Sequence, residues 1–268
     1  MKSSIASDIN LLAKFCGKKD IETLTPSSLK KTYGIEKVDV LVLFGGSILS
    51  GGDLFAKAIQ NKIASHYVIV GGYGHTSAAL FSQMETEIPG ISKNVSSEAE
   101  LFNRYILEKY QIQADFLETQ STNCGNNVTF LLALLKQQNI SIESILMIQD
   151  ATMQQRMDAT LRKYALNSNL TIINYPAYEA EITIKNDNLV FSKNILGMWS
   201  IERYIQLLMG EIPRLRNDRD GYGPNGKDFI APIEIPLEVL TAYDRLKIVF
   251  PDMNRTANPL YATKPSEI

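Results

Sequence analysis

The sequence predicts an α/β fold in which a parallel sheet of about five strands is flanked by helices. Three observations support this prediction. Short apolar, β-favouring runs alternate with segments of helical periodicity between residues 38 and 174, an order typical of right-handed strand–helix–strand units. The first run, Val38 to Phe44, is almost continuously apolar, as in a strand covered on both faces. The composition, 45% hydrophobic and 21% charged over 268 residues, allows one large domain or one domain with an appended piece.

Two helices are predicted ahead of the first strand. The first spans Ser7 to Lys18, with Ser7 as its N-cap, because Ile9 and Leu12 recur at helical spacing. The second begins at Pro26, a residue that suits a first helical turn.

The alternating region contains the remaining sheet and its helices. The predicted strands are Val38 to Phe44, Tyr67 to Val70, Ala114 to Glu118, Ile145 to Ile148 and Leu170 to Asn174. The predicted helices are Gly52 to Ile63, Ser97 to Tyr110, Asn126 to Gln137 and Met153 to Tyr164. A further helix is predicted to begin after His75 and to end at Met84. Ser97 and Glu100 have the spacing of a capping box, which favours a helix start there.

The pattern changes after Tyr175. Apolar runs on either side of Asn186-Asp187-Asn188 predict a hairpin, a charged and turn-rich segment starts at Gly210, and a surface tail covers Asn254 to Ile268. The other elements predicted here are hairpin strands over Glu181 to Lys185 and Leu189 to Ser192, and helices over Trp199 to Met209 and Pro236 to Ile248. Three parts are therefore expected: an N-terminal helical segment (1–36), an α/β ligand-binding core (37–176) and a C-terminal extension (177–268).

Four polar segments, three of them containing glycine, each follow a predicted strand. Parallel strands direct the segments that follow them to one edge of the sheet, where open α/β sheets bind small ligands. The sequence thus predicts a ligand crevice. The residues expected to contact a ligand there are Gly45, Gly46, Ser47, Gly71, Gly72, Gly74, His75, Glu98, Ser121, Thr122, Asn123, Gln149, Asp150 and Arg156.

Several of these residues have a second interpretation. The glycine segments also suit flexible turns, and Ser121 or Thr122 also suits a helix N-cap. Asp150 is equally consistent with a helix-capping role. His75 is a candidate proton carrier or ligand contact, and Cys124 is a candidate nucleophile because a helix N-terminus activates a thiol. No residue is assigned a catalytic role from the sequence.

Composition excludes several classes of protein. A formal net charge of −2 does not favour nucleic-acid binding. The two cysteines cannot form a disulfide framework, and two cysteines with two scattered histidines do not make a zinc site. There is no Gly-x-Ser-x-Gly motif of a serine hydrolase. The N-terminus lacks an apolar signal core and no long apolar run occurs, so we expect a cytoplasmic protein without a membrane span.

A resemblance to a known family rests on separate groups of residues. The most specific are Pro213-Arg214-Leu215-Arg216 with Asp220-Gly221-Tyr222-Gly223-Pro224, Gln120-Ser121-Thr122-Asn123-Cys124-Gly125, and Gln149-Asp150 with Thr152-Met153-Gln154. Gly71-Gly72 with Gly74-His75, Glu98-Ala99, and Trp199 with Glu202-Arg203-Tyr204 also fit. Over about residues 37 to 230 the chain resembles the YdcF, SanA and ElyC family, long labelled a domain of unknown function.

This resemblance implies a Rossmann-like fold and binding of S-adenosylmethionine, with methyl transfer as a suggested role. Membrane-anchored relatives are linked to envelope polysaccharide or peptidoglycan. Two departures weaken the case for the wider family's hydrolytic chemistry. On the third loop, Cys124 and Asn126 replace a threonine and a glutamate, and after the fourth strand Thr152 stands near a histidine position.

Three hypotheses follow. The chain is a binding protein for S-adenosylmethionine or a related nucleoside, with turnover left open. Alternatively, it is a hydrolase or transferase acting on a phosphorylated or sugar-bearing envelope precursor, with His75, Asp150, Arg156 and the arginines of residues 214–219 facing the anionic group. In the third, it is a non-catalytic interaction module in which the arginines and aspartates of residues 214–220 form structural ion pairs. The sequence leaves the oligomeric state open.

Overall fold

A computed structural model of the chain describes residues 2–74, 76–165 and 169–253. The main strands are β1 (Val38–Phe44), β2 (Ala64–Val70), β3 (Phe116–Glu118), β4 (Ser144–Ile148) and β5 (Thr171–Asn174). These strands pair in parallel in the order β3-β2-β1-β4-β5. The predicted α/β fold with a five-stranded parallel sheet is confirmed. The strand order reverses direction between β1 and β4, as in Rossmann-type folds.

Helices cover the sheet and extend the chain at both ends. They are α1 (Lys2–Cys16), α2 (Pro26–Tyr33), α3 (Leu49–Gln60), α4 (Ser77–Glu87), α5 (Glu98–Tyr110), α6 (Cys124–Gln137), α7 (Gln154–Tyr164), α8 (Ile201–Leu215) and α9 (Leu237–Val249). The predicted hairpin is present as β6 (Ile182–Lys185) paired with β7 (Asn188–Phe191). In the described residues, no helix has both the length and the apolar character needed to cross a membrane. The predicted tail, Asn254 to Ile268, lies outside the described residues.

Both faces of the sheet are buried, because side chains alternate along each strand. On one face, Leu41 and Leu43 belong to a large core shared with α1, α3, α5, α8 and α9. On the other, Val40, Val42 and Phe44 pack with apolar residues of α6 and α7. The continuous apolar character of β1 is thus explained by helices on both sides.

The start of the first helix was predicted wrongly. Helix α1 begins at Lys2, so Ser7 lies inside it and is not its N-cap. The early turn is held by tertiary contacts, since Asp8 is buried and forms an ion pair with Arg245 of α9. A serine early in the sequence favours a cap only when such packing is absent.

The end of α8 was also predicted wrongly. The helix continues past Met209 to Leu215 and contains Pro213, although proline normally ends a helix. Ile212 and Leu215 are fully buried, and the Arg214 side chain donates to the Gly210 carbonyl. Burial of this last turn therefore outweighs the missing proline N–H.

Smaller differences concern strand and helix starts. Strand β2 begins at Ala64 because Ala64 pairs with Val38 of β1, whereas β3 is shortened to Phe116–Glu118 at the sheet edge. Helix α3 begins at Leu49 and includes Gly52. A Cβ at Gly52 would lie 3.0 Å from the Tyr105 ring, so this glycine allows α3 and α5 to pack closely.

Candidate functional site

The segments that follow β1, β2, β3 and β4 meet at the carboxyl edge of the sheet. These segments (residues 45–48, 71–74 with 76, 119–123 and 149–153) are called the rim below, together with Glu98 and Glu118, which form hydrogen bonds with them. Backbone hydrogen bonds join each segment to its neighbour: Gly45 N–H donates to the carbonyl of Val70 at the end of β2, at 2.6 Å, and Gly72 N–H donates to the Ser121 carbonyl at 2.9 Å. The Gln149 side chain donates to the Gly45 carbonyl at 3.1 Å, across the reversal between β1 and β4. The four predicted segments therefore lie together.

The rim glycines allow the segments to approach one another. A Cβ at Gly72 would lie 2.4 Å from the Ser121 carbonyl oxygen, a distance that no side chain could accept. The Cα atom of Gly45 likewise lies next to Gly71, and the position of a Cβ at Gly74 is 3.0 Å from the Thr122 carbonyl oxygen. These short distances explain the glycines by close packing of the segments. The predicted ligand contacts at these positions stay a prediction.

Glu98, the first residue of α5, connects the first two segments. Its side chain is buried, accepts a hydrogen bond from the Ser77 hydroxyl at 2.6 Å and accepts another from the Gly46 backbone N–H. Burial raises the pKa of Glu98 to about 7, although both hydrogen bonds act to lower it. The rim thus contains a carboxyl group that titrates near neutral pH.

Three buried oxygen atoms near the ends of β1 and β3 lack a hydrogen-bond partner among the described residues. They are Ser47 Oγ, Ser121 Oγ and Glu118 Oε2. The other oxygen of Glu118 accepts from the backbone N–H groups of Gln120 and Ser121, at 2.6 and 3.0 Å. A buried polar atom without a partner costs about 1–3 kcal/mol. Such atoms in a native protein call for an explanation, and a bound molecule that supplies the missing partner is one.

Sequence reasoning did not select Glu118. The sequence pattern places it only as the last residue of a strand. The available signal was a carboxylate at a strand end directly before a polar segment, which is the position that faces a crevice in open α/β sheets.

Asp150 is surrounded by protein donors. Its Oδ1 accepts from the backbone N–H and hydroxyl of Thr152 and from the Tyr178 hydroxyl, and its Oδ2 accepts from the Trp199 indole at 2.9 Å. Burial raises its pKa, and these donors act against that rise. The described contacts tie the end of β4 to the C-terminal extension. The alternative of a helix cap was wrong, because Met153 is the N-cap residue of α7.

Arg156 is engaged in the same way. Its guanidinium forms a bidentate ion pair with buried Glu211 of α8, at 2.5 and 2.9 Å, and donates to Cys124 Sγ at 2.9 Å. Burial acts to lower the pKa of Arg156, but Cys124 and Glu211 raise it overall. Its described partners are therefore internal groups.

The third segment ends in a helix cap, but not the predicted one. Asn123 caps α6 by accepting from the Asn126 backbone N–H at 3.0 Å, so neither Ser121 nor Thr122 is the cap. Ser121 is buried and Thr122 is half-buried beside it. In the second segment, Tyr73 is exposed and packs against Phe81. His75 lies outside the described residues.

The charged segment that carries the family resemblance folds as a tight turn. Asp218 accepts from the backbone N–H groups of Asp220 and Gly221, and the Arg216 guanidinium lies 5.6 Å from the centre of the Tyr243 ring. These contacts belong to turn formation and aromatic stacking. The predicted pairing of arginines with aspartates in this segment stays a prediction.

No protein-family model matches this sequence. The resemblance to the YdcF, SanA and ElyC family therefore stays a proposal.

Proposed function

We propose that this chain is a small-molecule binding protein of the YdcF-like family, and that S-adenosylmethionine or a related nucleoside binds at the rim. The observation that carries the proposal is the set of buried oxygens without partners at Ser47, Glu118 and Ser121. A ligand with several hydroxyl or amino groups would supply the missing hydrogen bonds.

The chemistry of the rim fits this class of ligand. Ribose hydroxyls and an amino group donate to carboxylate and hydroxyl oxygens of the kind that Glu118 and Ser121 provide. A sulfonium carries positive charge, which nearby carboxylates such as Glu98 and Glu118 would stabilise. The exposed ring of Tyr73 offers a further surface for a cation.

Turnover is a separate step in the proposal. S-adenosylmethionine supplies an activated methyl group when it is bound. Transfer of that group depends mainly on holding donor and acceptor in position. Where the acceptor must lose a proton, Glu98 is the described rim residue whose pKa, about 7, suits that task.

Phosphorylated or sugar-bearing envelope precursors remain the competing substrate class. That hypothesis uses Asp150 and Arg156 to hold an anionic group. In the structure both are occupied by internal partners, at Trp199 and Glu211 respectively. Magnesium-dependent hydrolysis of a generic phosphoester that is lost in Asp150→Ala would favour this class over a nucleoside.

Isothermal titration calorimetry with S-adenosylmethionine, adenosine and ADP tests the proposal. We expect saturable binding of S-adenosylmethionine, and Glu118→Gln should weaken it about tenfold or more, because a hydrogen bond to a charged group contributes about 1.5–3 kcal/mol. Glu108→Gln, at an exposed position on α5, removes the same charge away from the rim and is the matched control. Absence of heat and of any thermal shift with all three compounds would refute the proposal.

A further inference from the structure

A concave surface is formed by residues at the start of α3, at the end of α4, in β7 and in the segment that precedes α8. It has a volume of about 480 Å³, within the range of small-molecule sites. The side chains of Leu49, Glu87, Phe191, Leu196, Met198 and Trp199 contribute to its lining. It is called the Trp199 groove below.

Two contacts hold one wall of the Trp199 groove. The Trp199 indole donates to the buried carboxylate of Asp150 at 2.9 Å, which anchors the ring from behind. Gly197 has φ +73°, and a Cβ there would lie 3.0 Å from the Leu49 backbone nitrogen. Glycine is therefore required for the loop before α8 to pack on the start of α3. A preformed surface of this kind loses little conformational entropy on binding.

The lining combines two aromatic rings with one carboxylate. Phe191 supplies a half-buried ring, Trp199 supplies a mostly buried ring that is 8% exposed, and Glu87 from α4 supplies a partly exposed carboxylate. Lys109 lies 4.0 Å from Glu87 but is closer to Asp53, at 3.1 Å. Aromatic faces attract cations, and the adjacent carboxylate adds to that attraction. Leu49, Leu196 and Met198 supply apolar contact for the rest of a ligand.

We infer that the Trp199 groove binds a small organic cation with an apolar or aromatic body, of which a protonated arylalkylamine is the simplest form. The apolar lining holds the body of the molecule, and the charged head lies towards Glu87. This inference does not rest on the function proposed for the rim, since it uses different residues.

The intrinsic fluorescence of Trp199 can be used to detect binding in this groove. Trp199 is the single tryptophan of the sequence, so intrinsic fluorescence excited at its absorption edge follows the groove alone. The probe is phenethylamine, compared with 3-phenylpropionate, which has the same ring but a negative charge. At neutral pH and low salt we expect a saturable change in Trp199 emission with phenethylamine. The dissociation constant for phenylpropionate should be about threefold higher or more, as an exposed ion pair contributes up to about 1 kcal/mol.

Two variants and one control make the test specific. Glu87→Gln should abolish the preference for the amine, whereas Glu108→Gln, an equal charge change on α5, should keep it. Thr86→Phe places a ring at an exposed position of the groove lining and should abolish the response to both compounds. Far-ultraviolet circular dichroism confirms that each variant is folded.

Three results would overturn the inference. The first is an emission that does not respond to phenethylamine in the unmodified chain. The second is equal affinity for the amine and the acid, which would leave an apolar site without cation selectivity. The third is the same preference in Glu87→Gln as in Glu108→Gln.

Discussion

Glu118, Asp150 and Arg156 all stand near the carboxyl ends of strands, yet their surroundings differ. Asp150 and Arg156 are engaged by Trp199 and Glu211, which come from the C-terminal extension. Glu118 keeps one buried oxygen without a partner among the described residues. The sequence could predict that these groups gather at one rim. It could not predict which of them are already occupied, because the partners lie 49 and 55 residues away.

The two cysteines give a prediction at the scale of single residues. Cys16 has no exposed surface, and burial together with the nearby charge of Glu211 raises its pKa well above the ordinary value. Cys124 is half-buried at the start of α6. Because alkylation requires an accessible thiolate, iodoacetamide should label Cys124 before Cys16 in the native protein. Peptide mass spectrometry measures the two rates.

The control for this prediction is the Cys124→Ser variant, which should show no rapid labelling until urea unfolds the chain. Equal labelling of both thiols in the native state would contradict the described burial of Cys16.

At the scale of elements, the sequence predicts a helix start correctly where nearby residues supply the hydrogen bonds that the helix end needs. The capping box at Ser97 and Glu100 is present, with hydrogen bonds in both directions. Pro26 occupies the first turn of α2, capped by Thr25. The bounds of α1 and α8 were missed, because contacts with distant parts of the chain determine where those helices start and end. Asp8 with Arg245 and Glu211 with Arg156 are the contacts concerned.

The capping box of α5 gives a prediction at this scale. Ser97→Ala removes the hydroxyl that accepts the Glu100 backbone N–H at 3.2 Å. The free energy of unfolding should fall by about 1 kcal/mol, the usual cost of losing an N-cap. Urea denaturation followed by circular dichroism measures it.

Ser82→Ala is the comparison variant, since Ser82 is exposed in the interior of α4 and alanine favours a helix there. It should leave stability unchanged or slightly higher. A loss in Ser82→Ala equal to that in Ser97→Ala would mean that the cap has no specific effect.

At the scale of the whole molecule, α1 near the start of the described chain contacts α9 and β6 near its end. Asp8 of α1 pairs with Arg245 of α9, and the Asn10 side chain exchanges hydrogen bonds with the backbone of Ile182 in β6. Ile9 and Leu12 of α1 are buried in the same hydrophobic core as residues of α8 and α9. The chain before β1 therefore contributes to the packing of the chain after β5.

The stability of the whole protein should depend on pH through Glu98. Its pKa is raised from 4.5 to about 7 on folding. Between these values the folded state retains a proton that the unfolded state has released, so stability falls as pH rises through this window. The loss from this one group is about 3 kcal/mol, since each pKa unit corresponds to about 1.4 kcal/mol.

Glu98→Gln removes that titration and should flatten the curve of unfolding free energy between pH 5 and pH 8, measured by urea denaturation. A slope of the same sign from Asp150 should persist in the variant, because burial also raises the pKa of Asp150. Parallel curves for the variant and the unmodified protein would show that Glu98 is not the group responsible.

The hydrogen bond from Gln149 to Gly45 affects where along the edge of the sheet a ligand can lie. It links the segments that follow β1 and β4, at the point where the strand order reverses, which is where open α/β sheets bind their ligands. In this chain the Gln149 side chain occupies that point and has no solvent exposure. We therefore expect the proposed ligand to lie on the β2 and β3 side of the rim, over Glu118 and Ser121, whose buried oxygens lack described partners.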